Sequence, residues 1–487
     1  MGVAGPWDYI VVGAGHNGLV AASILAANGA SVLVVESRPT PGGEASGEPV
    51  GEAWYPRVAY ALGLMPGRLA SLLGVDLGAV ASWPDPSWVV VVDGEEWLRW
   101  WRRPERLEAE LAGLGVSRAS WREAARLFEG FARCGESEGL LYTVEPPSLG
   151  EAADALDRCQ PGLGEAVEKP WGSWAPSLLG GELAEALVYP PFYWEPGLVG
   201  LYFNMNLAVW GQPRRGFTLL AHTLERAARR LGAEVLYGAR ARLHYSRGRV
   251  DGVELPGGRI AGARRGVLLA ASILCLPRLA PGEALDAHLS RGERRALEAL
   301  ASTDLSIDRV NLALAPKPEP PTRWRPPPIV AVESRTASGE AVYPTLHEPP
   351  RGGVHLVSFS GVLHGGLEEL ASELAGPGAR LLWAERVDRR VLDSEYCNPT
   401  GNPNHIPMAR PHLLDSRPLP GWGGYRTPIP GLYHAAASSH PGGQVTGIPG
   451  HNAAVRALLD AGVKPSHHLV PPPLLRRGAG RGWGLEA

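Results

Sequence analysis

The stretch that decides the fold runs from Asp8 to Glu36. It opens with the apolar run Asp8-Tyr-Ile-Val-Val12 and continues through the motif Gly13-Ala-Gly15-His-Asn-Gly18. A short apolar run ended by glycines predicts a buried parallel strand, and the residues from Asn17 to Asn28 predict a helix. A second apolar run, from Ser31 to Glu36, predicts the next strand. This order is typical of a βαβ unit that binds a dinucleotide.

Each glycine of the motif has a physical role in holding a diphosphate. Gly13 permits the tight turn, Gly15 lets the backbone approach the diphosphate, and Gly18 lets the helix pack closely on the strand. The negative charge is then expected at the free N–H groups of the helix N-terminus, at His16 and Asn17.

The end of the second strand favours FAD as the dinucleotide. Glu36, with Ser37 beside it, is placed to accept hydrogen bonds from ribose hydroxyls, and its charge would repel a ribose 2′-phosphate. The doublet Gly42-Gly43 follows where the flavin end of the cofactor needs close backbone approach, although an ordinary loop is the competing interpretation. No second GxGxxG motif follows a strand, so a dedicated NAD(P)H domain is not expected.

Length and composition restrict the class of protein. A chain of 487 residues is too long for one compact core, so two lobes are expected. The formal net charge of −3 argues against a nucleic-acid binder, which normally carries a basic excess. No run approaches the ~18 apolar residues of a membrane span, and no signal-peptide pattern opens the chain.

The cysteines predict no metal site and no redox disulfide. The four cysteines are widely spaced and form no CxxC pair (Cys134, Cys159, Cys275 and Cys397). The adjacent His467 and His468 lack a third ligand nearby. We therefore expect no metal and a reduced, cytoplasmic setting, with peripheral membrane contact as an open addition.

Segments with the strand and helix patterns of a βαβ unit occur three times in the chain. Two insertions of different character separate them. The sequence therefore predicts an α/β fold with a discontinuous Rossmann-like FAD-binding domain and a second, α+β substrate domain formed by the two insertions. The predicted FAD-binding parts are residues 1–75, 210–300 and 425–465. The predicted substrate-domain parts are residues 76–209 and 301–424, and residues 466–487 are expected to be a flexible tail.

Three segments resemble the phytoene desaturase-related FAD oxidoreductases, which include the bacterial carotenoid desaturases. The first is Asp8 to Gly43, and the second is Trp210-Gly-Gln-Pro-Arg-Arg-Gly-Phe217. The most specific segment runs from Arg417-Pro418 to Ala454, and it contains Ser439-His-Pro-Gly-Gly-Gln-Val-Thr-Gly-Ile-Pro-Gly450. These segments span nearly the whole chain, while the insertions match only loosely.

The resemblance implies an extended FAD whose ring lies at the junction between the lobes. It implies hydride removal from an apolar, isoprenoid-like substrate. It also places the backbone near Ala241 against the adenine and the turn from His440 to Gly450 along the flavin ring. The residues of that turn expected at the cofactor are Gly442, Gly443, Val445 and Gly450.

The chain departs from the family pattern at three places. Ala436-Ala-Ser438 stands where relatives carry a Gly-Ala-Gly-like run, Arg215-Gly216 stands where they carry paired glycines, and Glu44 replaces a small or basic residue. An added Cβ near the cofactor weakens FAD binding or reshapes the site modestly, and the intact first glycine motif favours the modest effect.

No nucleophile–base pair is visible in the sequence, which suits an enzyme whose cofactor carries the chemistry. His440 is the catalytic candidate, and bracing of its turn by hydrogen bonds is the equal alternative. The aromatic residues from Tyr189 to Trp210 line a substrate tunnel or belong to ordinary core. The hairpin that carries Trp97, Trp100 and Trp101 either faces a membrane or packs its tryptophans inward.

Three functions remain open from the sequence. The first is an FAD-dependent dehydrogenase or desaturase of an apolar small molecule, with oxygen, a quinone or another compound as electron acceptor. The second is a non-catalytic lipid-binding or escort protein on the same scaffold, as in Rab escort and GDP-dissociation inhibitor proteins. The third is an amine oxidase-like flavoenzyme.

Overall fold

The computed structural model describes residues 5–51, 53–92, 95–188, 192–303, 308–315, 334–335, 341–346, 355–361 and 380–478. In chain order its strands are β1 (Trp7–Val12), β2 (Val32–Val35), β3 (Gly47–Val50), β4 (Ala53–Pro56), β5 (Ala81–Ser82), β6 (Trp88–Val92), β7 (Glu95–Trp100), β8 (Gln212–Pro213), β9 (Glu234–Leu236), β10 (Arg242–Ser246), β11 (Arg249–Leu255), β12 (Arg259–Leu269), β13 (Asp308–Ala315), β14 (Ser334–Arg335), β15 (Ala341–Leu346), β16 (His355–Gly361), β17 (Arg380–Val387) and β18 (Leu432–His434).

The first sheet gathers strands from three distant parts of the chain. Its order is β10-β11-β12-β1-β2-β9, and β18 pairs with β12. Strand β1 is parallel to β2 and β12, and its residues from Tyr9 to Val11 are inaccessible to solvent. Covered parallel strands of this kind account for the near-continuous apolar runs in the sequence. The predicted α/β class with a discontinuous Rossmann-like sheet is confirmed.

The second sheet takes strands from both insertions. Its order is β17-β13-β16-β15-β14-β6-β7. The predicted hairpin is present as β6 paired antiparallel with β7, while its turn residues Asp93 and Gly94 lie outside the described residues. Strand β13 lies between β16 and β17 and pairs antiparallel with both. The exact domain boundaries drawn from the sequence stay predictions.

Helices cover the first sheet and fill the insertions. Their bounds are His16–Ala27, Gly67–Leu72, Leu77–Val80, Pro104–Gly113, Arg118–Ser137, Leu149–Cys159, Leu163–Glu168, Trp171–Leu179, Gly181–Ala186, Gly197–Asn204, Thr218–Arg230, Leu276–Leu279, Gly282–His288, Arg291–Ser302, Arg389–Tyr396, Ile448–Asp460 and Pro472–Gly478. The last long helix begins at Ile448, inside the C-terminal turn. Gly447 precedes it with a φ of 75°, and Pro449 fits in the first turn because that position needs no N–H donor.

The cysteines form two disulfides between distant residues, which the sequence analysis did not predict. Cys134 is bonded to Cys159, and Cys275 is bonded to Cys397. The partners are 25 and 122 residues apart, and only the fold brings their Cα atoms to 5.9 and 6.0 Å. Sequence spacing reveals motifs of neighbouring cysteines, but it does not reveal disulfides between cysteines that are distant in sequence. The prediction of a reducing compartment relied on the absence of close cysteine pairs, and the disulfides remove that support.

The first part of the expected flexible tail is ordered against the nucleotide-binding lobe. The backbone N–H of Ser466 donates to Asn28 Oδ1 at 2.7 Å, and that of Leu469 donates to His451 Nε2 at 2.9 Å. Val470 is buried, and the helix Pro472–Gly478 follows it. Glycine and proline content does not reveal such contacts, and the flexibility of the tail stays a prediction. Residues 479–487 lie outside the described residues.

The tryptophans of the β6–β7 hairpin pack inward. Trp100 is fully buried, and its Nε1 donates to the carbonyl oxygen of Leu207 at 2.8 Å. Trp101 Nε1 donates to Glu110 Oε2 at 3.1 Å. The geometry therefore favours domain core over a membrane-facing hairpin. Among the described helices, none combines the length and the hydropathy needed to cross a bilayer.

Candidate active site

A cavity of about 1360 Å³ extends from the glycine turn after β1 to the second sheet. Ten of the residues expected at the cofactor line it: Gly13, Gly15, His16, Asn17, Glu36, Ser37, Gly42, Gly43, Ala241 and Val445. Ordinary ligand pockets measure roughly 300–1,000 Å³. The cavity is therefore large enough for a dinucleotide and a second molecule beside it.

The glycine turn is shaped for close approach of a ligand to its backbone. Gly13 has a φ of 107°, which other residues rarely adopt. A Cβ on Gly15 would meet only Gly42 and Gly43, both at 3.9 Å, so it would occupy the cavity instead of colliding with protein. A Cβ on Gly18 would lie 2.0 Å from the carbonyl oxygen of Gly13. Gly18 therefore packs the helix on the strand and does not itself line the cavity.

Glu36 connects the glycine turn to the loop after β2. Its Oε2 accepts a hydrogen bond from the backbone N–H of Ala14 at 2.7 Å, and its Oε1 accepts one from the N–H of Arg38 at 2.8 Å. The Ser37 hydroxyl also donates to Oε1, at 3.2 Å. Because a carboxylate has about four acceptor positions, ribose hydroxyls can still be bound. Glu36 thus orders the turn as well as facing the cavity.

The Gly42-Gly43 doublet forms the adjoining wall. The N–H of Gly42 donates to the carbonyl oxygen of Ala14 at 2.8 Å, and Gly15 and Gly42 form a parallel bridge. Both doublet glycines have positive φ, and a Cβ on Gly43 would lie 3.2 Å from Gly15 Cα. Only glycine allows the two backbone segments to lie so close at the cavity edge.

Two buried polar atoms of the turn remain available to a polar ligand. Asn17 is buried, and within the described part of the chain its Oδ1 has no hydrogen-bond partner. The same holds for Nε2 of His16, which also lines the cavity. Buried polar atoms are rarely left unpaired, and a polar ligand or water at this place would satisfy them. The residues present therefore fit a diphosphate-containing cofactor.

The C-terminal turn is held by Arg417, which the sequence analysis quoted without a role. Its guanidinium donates to five carbonyl oxygens at 2.8–3.2 Å. The acceptors belong to Asn404, Pro407, His412, Ala437 and Ser439. Burial lowers the pKa of Arg417 to about 9, so the side chain stays charged at neutral pH. A buried cation thus ties two loops into one wall of the cavity.

The glycines of this turn serve packing instead of lining the cavity. A Cβ on Gly442 would lie 2.5 Å from Met408 Sδ, and one on Gly443 would lie 2.5 Å from the Pro403 carbonyl oxygen. A Cβ on Gly450 would lie 2.0 Å from the carbonyl oxygen of Asn17.

Gly450 therefore brings the start of the helix Ile448–Asp460 against the start of the helix His16–Ala27. From this turn region, Ala436, Ala437, Gln444 and Val445 face the cavity.

His440 faces away from the cavity, which favours its bracing role over the catalytic one. Its ring is buried, and its Nε2 lies 2.6 Å from the carbonyl oxygen of Leu140. The His440 side chain borders a separate void of about 20 Å³. The neutral ring therefore links the C-terminal turn to the first insertion. The catalytic role of His440 stays a prediction, and this placement favours the bracing alternative.

Four buried histidines predict acid sensitivity. Burial, the largest cause, lowers the pKa of His16, His440 and His451 to about 4 and that of His434 to about 3, from 6.5 in an unfolded chain. The nearby charges of His405, Arg417, His467 and His468 act in the same direction.

We expect full stability from these groups above pH 6.5 and its loss as the pH falls towards 4. The reason is that the unfolded chain binds protons that the folded chain does not. Each histidine contributes about 1.4 kcal/mol per pH unit within that window. Urea unfolding at pH 7.5, 6 and 5 measures the loss. In His440→Asn, the dependence of the unfolding free energy on pH should be weaker by the contribution of one histidine. Equal slopes in the two proteins would contradict the prediction.

The helix Arg389–Tyr396 covers the cavity beside Glu36, and sequence reasoning missed it. The Arg38 guanidinium carbon lies 4.6 Å from the centre of the Tyr396 ring, and Arg57 donates to the Tyr396 hydroxyl at 3.0 Å. Glu395 forms an ion pair with Arg57. The helix belongs to the second insertion, so both lobes contribute to the walls of the nucleotide end.

The opposite end of the cavity is apolar and is formed by the insertions. Phe192, Phe203 and Trp210 line it, as the aromatic tunnel interpretation expects. Tyr202 instead donates from its hydroxyl to the carbonyl oxygen of Gly443 at 3.0 Å, and Trp194 is 68% exposed. Tyr189 lies outside the described residues. The tunnel interpretation therefore fits part of the aromatic segment.

Of the three departures, two lie at the cavity. Ala436 and Ala437 line it, so their methyl groups form part of the wall. Glu44 also lines it and accepts a hydrogen bond from Asn398 Nδ2 at 2.9 Å. Arg215 is not among the lining residues. No group of histidine, cysteine and carboxylate side chains within the described residues is arranged to hold a metal ion.

Residues 11–68 match the NAD(P)-binding Rossmann-like domain family. Pyridine nucleotide-disulfide oxidoreductase domain-containing protein 2 of Rattus norvegicus is 36% identical over 84 residues, which cover 17% of this chain and 14% of that protein. All-trans-zeta-carotene desaturase of Myxococcus xanthus is 30% identical over 304 residues, which cover 56% of this chain and 54% of the desaturase. The alignment thus spans a small fraction of the first relative's length and about half of the second relative's length.

The whole chain is similar in structure to an amine oxidase. Cyclohexylamine oxidase from Brevibacterium oxydans IH-35A superposes with a TM-score of 0.56 at 18% identity, over 94% of this chain and 100% of the oxidase. At this identity the likeness shows the fold alone. The chain therefore contains a Rossmann-like domain and shares its overall fold with this oxidase.

Proposed function

We propose that this chain is an FAD-dependent oxidoreductase that removes hydride from an apolar organic substrate. One cavity joins the glycine turn and Glu36 to the aromatic wall formed by Phe192 and Phe203, and this continuity supports the proposal most directly. A nucleotide-holding end and an apolar end in one continuous cavity suit a cofactor placed against its substrate.

The residues that would hold FAD follow from the walls of the cavity. The N–H groups after Gly15 would bind the diphosphate, and the Glu36 carboxylate would accept hydrogen bonds from the adenosine ribose. Ala241, Ala437 and Val445 also line the cavity, and the backbone at Ala241 would lie against the adenosine while Ala437 and Val445 would lie nearer the flavin. FAD, when bound, supplies the acceptor for a hydride and its electron pair.

The chain's own side chains orient the substrate and exclude water. Leu187, Val188, Phe192, Phe203 and Ala208 offer apolar contact area at the end formed by the insertions. Displacement of water from such surfaces favours an apolar molecule by about 25 cal/mol for each Å² buried. The surrounding field also strengthens when water leaves the cavity.

Two substrate classes are compatible with this fold. The local similarity to a zeta-carotene desaturase supports an isoprenoid-like substrate, and the structural likeness to cyclohexylamine oxidase supports an amine. The non-catalytic escort function is the remaining candidate, and the polar atoms left at Asn17 and His16 argue for a cofactor instead.

An anaerobic reduction test separates these functions. Purified protein is incubated with FAD, freed of unbound cofactor, and mixed with linear polyenes or with primary amines in the absence of oxygen. We expect retained flavin absorbance that is bleached by an apolar compound, because hydride transfer reduces the bound cofactor. Bleaching by amines alone would assign the amine oxidase function. Flavin that is never retained would contradict the proposal.

A further inference from the structure

We call the helix Arg389–Tyr396 the covering helix, because its last five residues line the cavity. The segment after β9 connects this helix to Glu36. The backbone N–H of Ala239 donates to the carbonyl oxygen of Glu36 at 2.9 Å, and Arg240 Nη2 donates to the carbonyl oxygen of Ser394 at 3.3 Å. The covering helix therefore closes the end of the cavity at which Glu36 would hold the ribose.

A disulfide fastens the C-terminal end of the covering helix to the nucleotide-binding lobe. Cys397 follows the helix directly and lines the cavity, and its partner Cys275 lies just before the helix Leu276–Leu279. The two cysteines are 122 residues apart, so the bond closes a loop that contains strands β13 to β17. A disulfide that closes a long loop restricts the chain more than one that closes a short loop.

An ion pair on the same side of the covering helix is exposed to solvent. Asp393 pairs with Arg278 at 2.6 Å, and their side chains are 36% and 48% exposed. Exposed ion pairs contribute little to stability, because water and salt screen them. We therefore expect the disulfide to be the main attachment of the covering helix on this side.

On its other side the covering helix contacts Arg38 and Arg57. Their guanidinium carbons lie 4.6 and 5.7 Å from the centre of the Tyr396 ring, and Glu395 forms ion pairs with both arginines. These contacts do not depend on the disulfide. Without the disulfide, the helix would keep this side and could move away from Arg240, which would open the nucleotide end.

The disulfide is placed for reduction. Cys397 is half-buried and lines the cavity, so a small dithiol can reach its sulfur. Arg278 Nη2 lies 2.9 Å from Cys275 Sγ and 3.5 Å from Cys397 Sγ. A positive charge at this position stabilises the thiolate that leaves when the bond is attacked, and this favours thiol–disulfide exchange.

We propose that the disulfide between Cys275 and Cys397 is a redox switch of the cofactor site. The intact bond holds the covering helix over bound FAD, and its reduction by a dithiol frees the helix and speeds the release of FAD. In this reaction the dithiol gives two electrons and two protons, the S–S bond breaks, each cysteine becomes a thiol, and the dithiol becomes a disulfide. The proposal rests on the proposed function, because FAD is the molecule that the helix would retain.

The dissociation rate of FAD from the full-length chain tests the switch. FAD-loaded protein is treated with dithiothreitol or with buffer alone in the absence of oxygen and is then desalted. A thiol assay confirms the reduction, and the flavin fluorescence that appears in solution gives the rate. We expect dissociation to be about tenfold faster or more after reduction, because a cover that opens more often releases its ligand sooner. An unchanged rate in the reduced chain would overturn the proposal.

The other disulfide provides the matched control. Cys134 and Cys159 also form a bond between a buried and a half-buried cysteine, and neither lines the cavity. Cys134→Ser with Cys159→Ser should keep slow dissociation and its response to dithiothreitol. Cys275→Ser with Cys397→Ser should release FAD quickly without the reductant and should respond no further. A response that follows the control bond instead would overturn the proposal.

Hydrogen exchange on the cofactor-free chain separates the switch from the proposed function. Reduction should make the amides of the covering helix exchange about tenfold faster and leave those of the helix Ile448–Asp460 unchanged. If the oxidised chain retains no FAD, the proposed function fails, and this comparison still shows whether the bond holds the helix. Equal exchange in the oxidised and reduced chains would overturn the switch. Faster exchange in both helices would also overturn it, because the bond would then stabilise the whole fold.

Discussion

Gly18→Val should abolish retention of FAD, with a loss of affinity of at least about a hundredfold. A Cβ at this position would lie 2.0 Å from the carbonyl oxygen of Gly13 and 3.0 Å from Ala270 Cβ. The helix would have to move away from β1, and the N–H groups at its start would no longer face the diphosphate position. Flavin absorbance after desalting, with far-ultraviolet circular dichroism beside it, measures the effect.

Gly113→Val is the matched control for this substitution. Gly113 ends the helix Pro104–Gly113, and a Cβ there would have no atom of another residue within 4 Å. The control should retain FAD as the wild type does. Full retention of FAD by Gly18→Val would show that the glycine turn does not hold the cofactor.

Arg417→Met should lower the free energy of unfolding by about 3–5 kcal/mol. The substitution removes the donors of five hydrogen bonds and leaves buried carbonyl oxygens without partners. Because these carbonyls belong to the segment around Asn404 and to the turn at Ala437 and Ser439, the wall of the cavity should loosen as well. Urea unfolding at pH 7.5 gives the loss, and weaker FAD retention should accompany it.

Arg410→Met provides the comparison within the same segment. Arg410 is exposed, and its guanidinium approaches Glu195 only to 3.9 Å. Its replacement should change the free energy of unfolding by less than about 0.5 kcal/mol. Similar losses in the two variants would contradict a special role for Arg417.

Local patterns predicted the nucleotide-binding end of the molecule. The apolar run before Gly13 and the three spaced glycines specify strand, turn and helix within about twenty residues, so neighbours in sequence are also neighbours in space. Glu36 follows at the end of the next strand for the same reason. Ten of the residues predicted for the cofactor accordingly line one cavity.

The remaining features depend on contacts between distant parts of the chain. Cys275 meets Cys397 across 122 residues, and Arg309 of the second insertion contacts the ring of Tyr60 in the first FAD-binding part. Arg417 looks like an ordinary surface cation in the sequence, yet folded loops surround it with carbonyl groups. The direction of His440 likewise depends on Leu140 of the first insertion. No local pattern carries this information, because it arises only when the lobes pack together.

Calorimetric titration of FAD into cofactor-free protein, with NAD titrated in parallel, tests the central claim most directly. We predict binding of one FAD per chain with a Kd at or below the micromolar range, and much weaker binding of NAD, because the cavity continues past the glycine turn to the walls at Gly42 and Val445. Absence of heat with FAD, or tighter binding of NAD than of FAD, would contradict it.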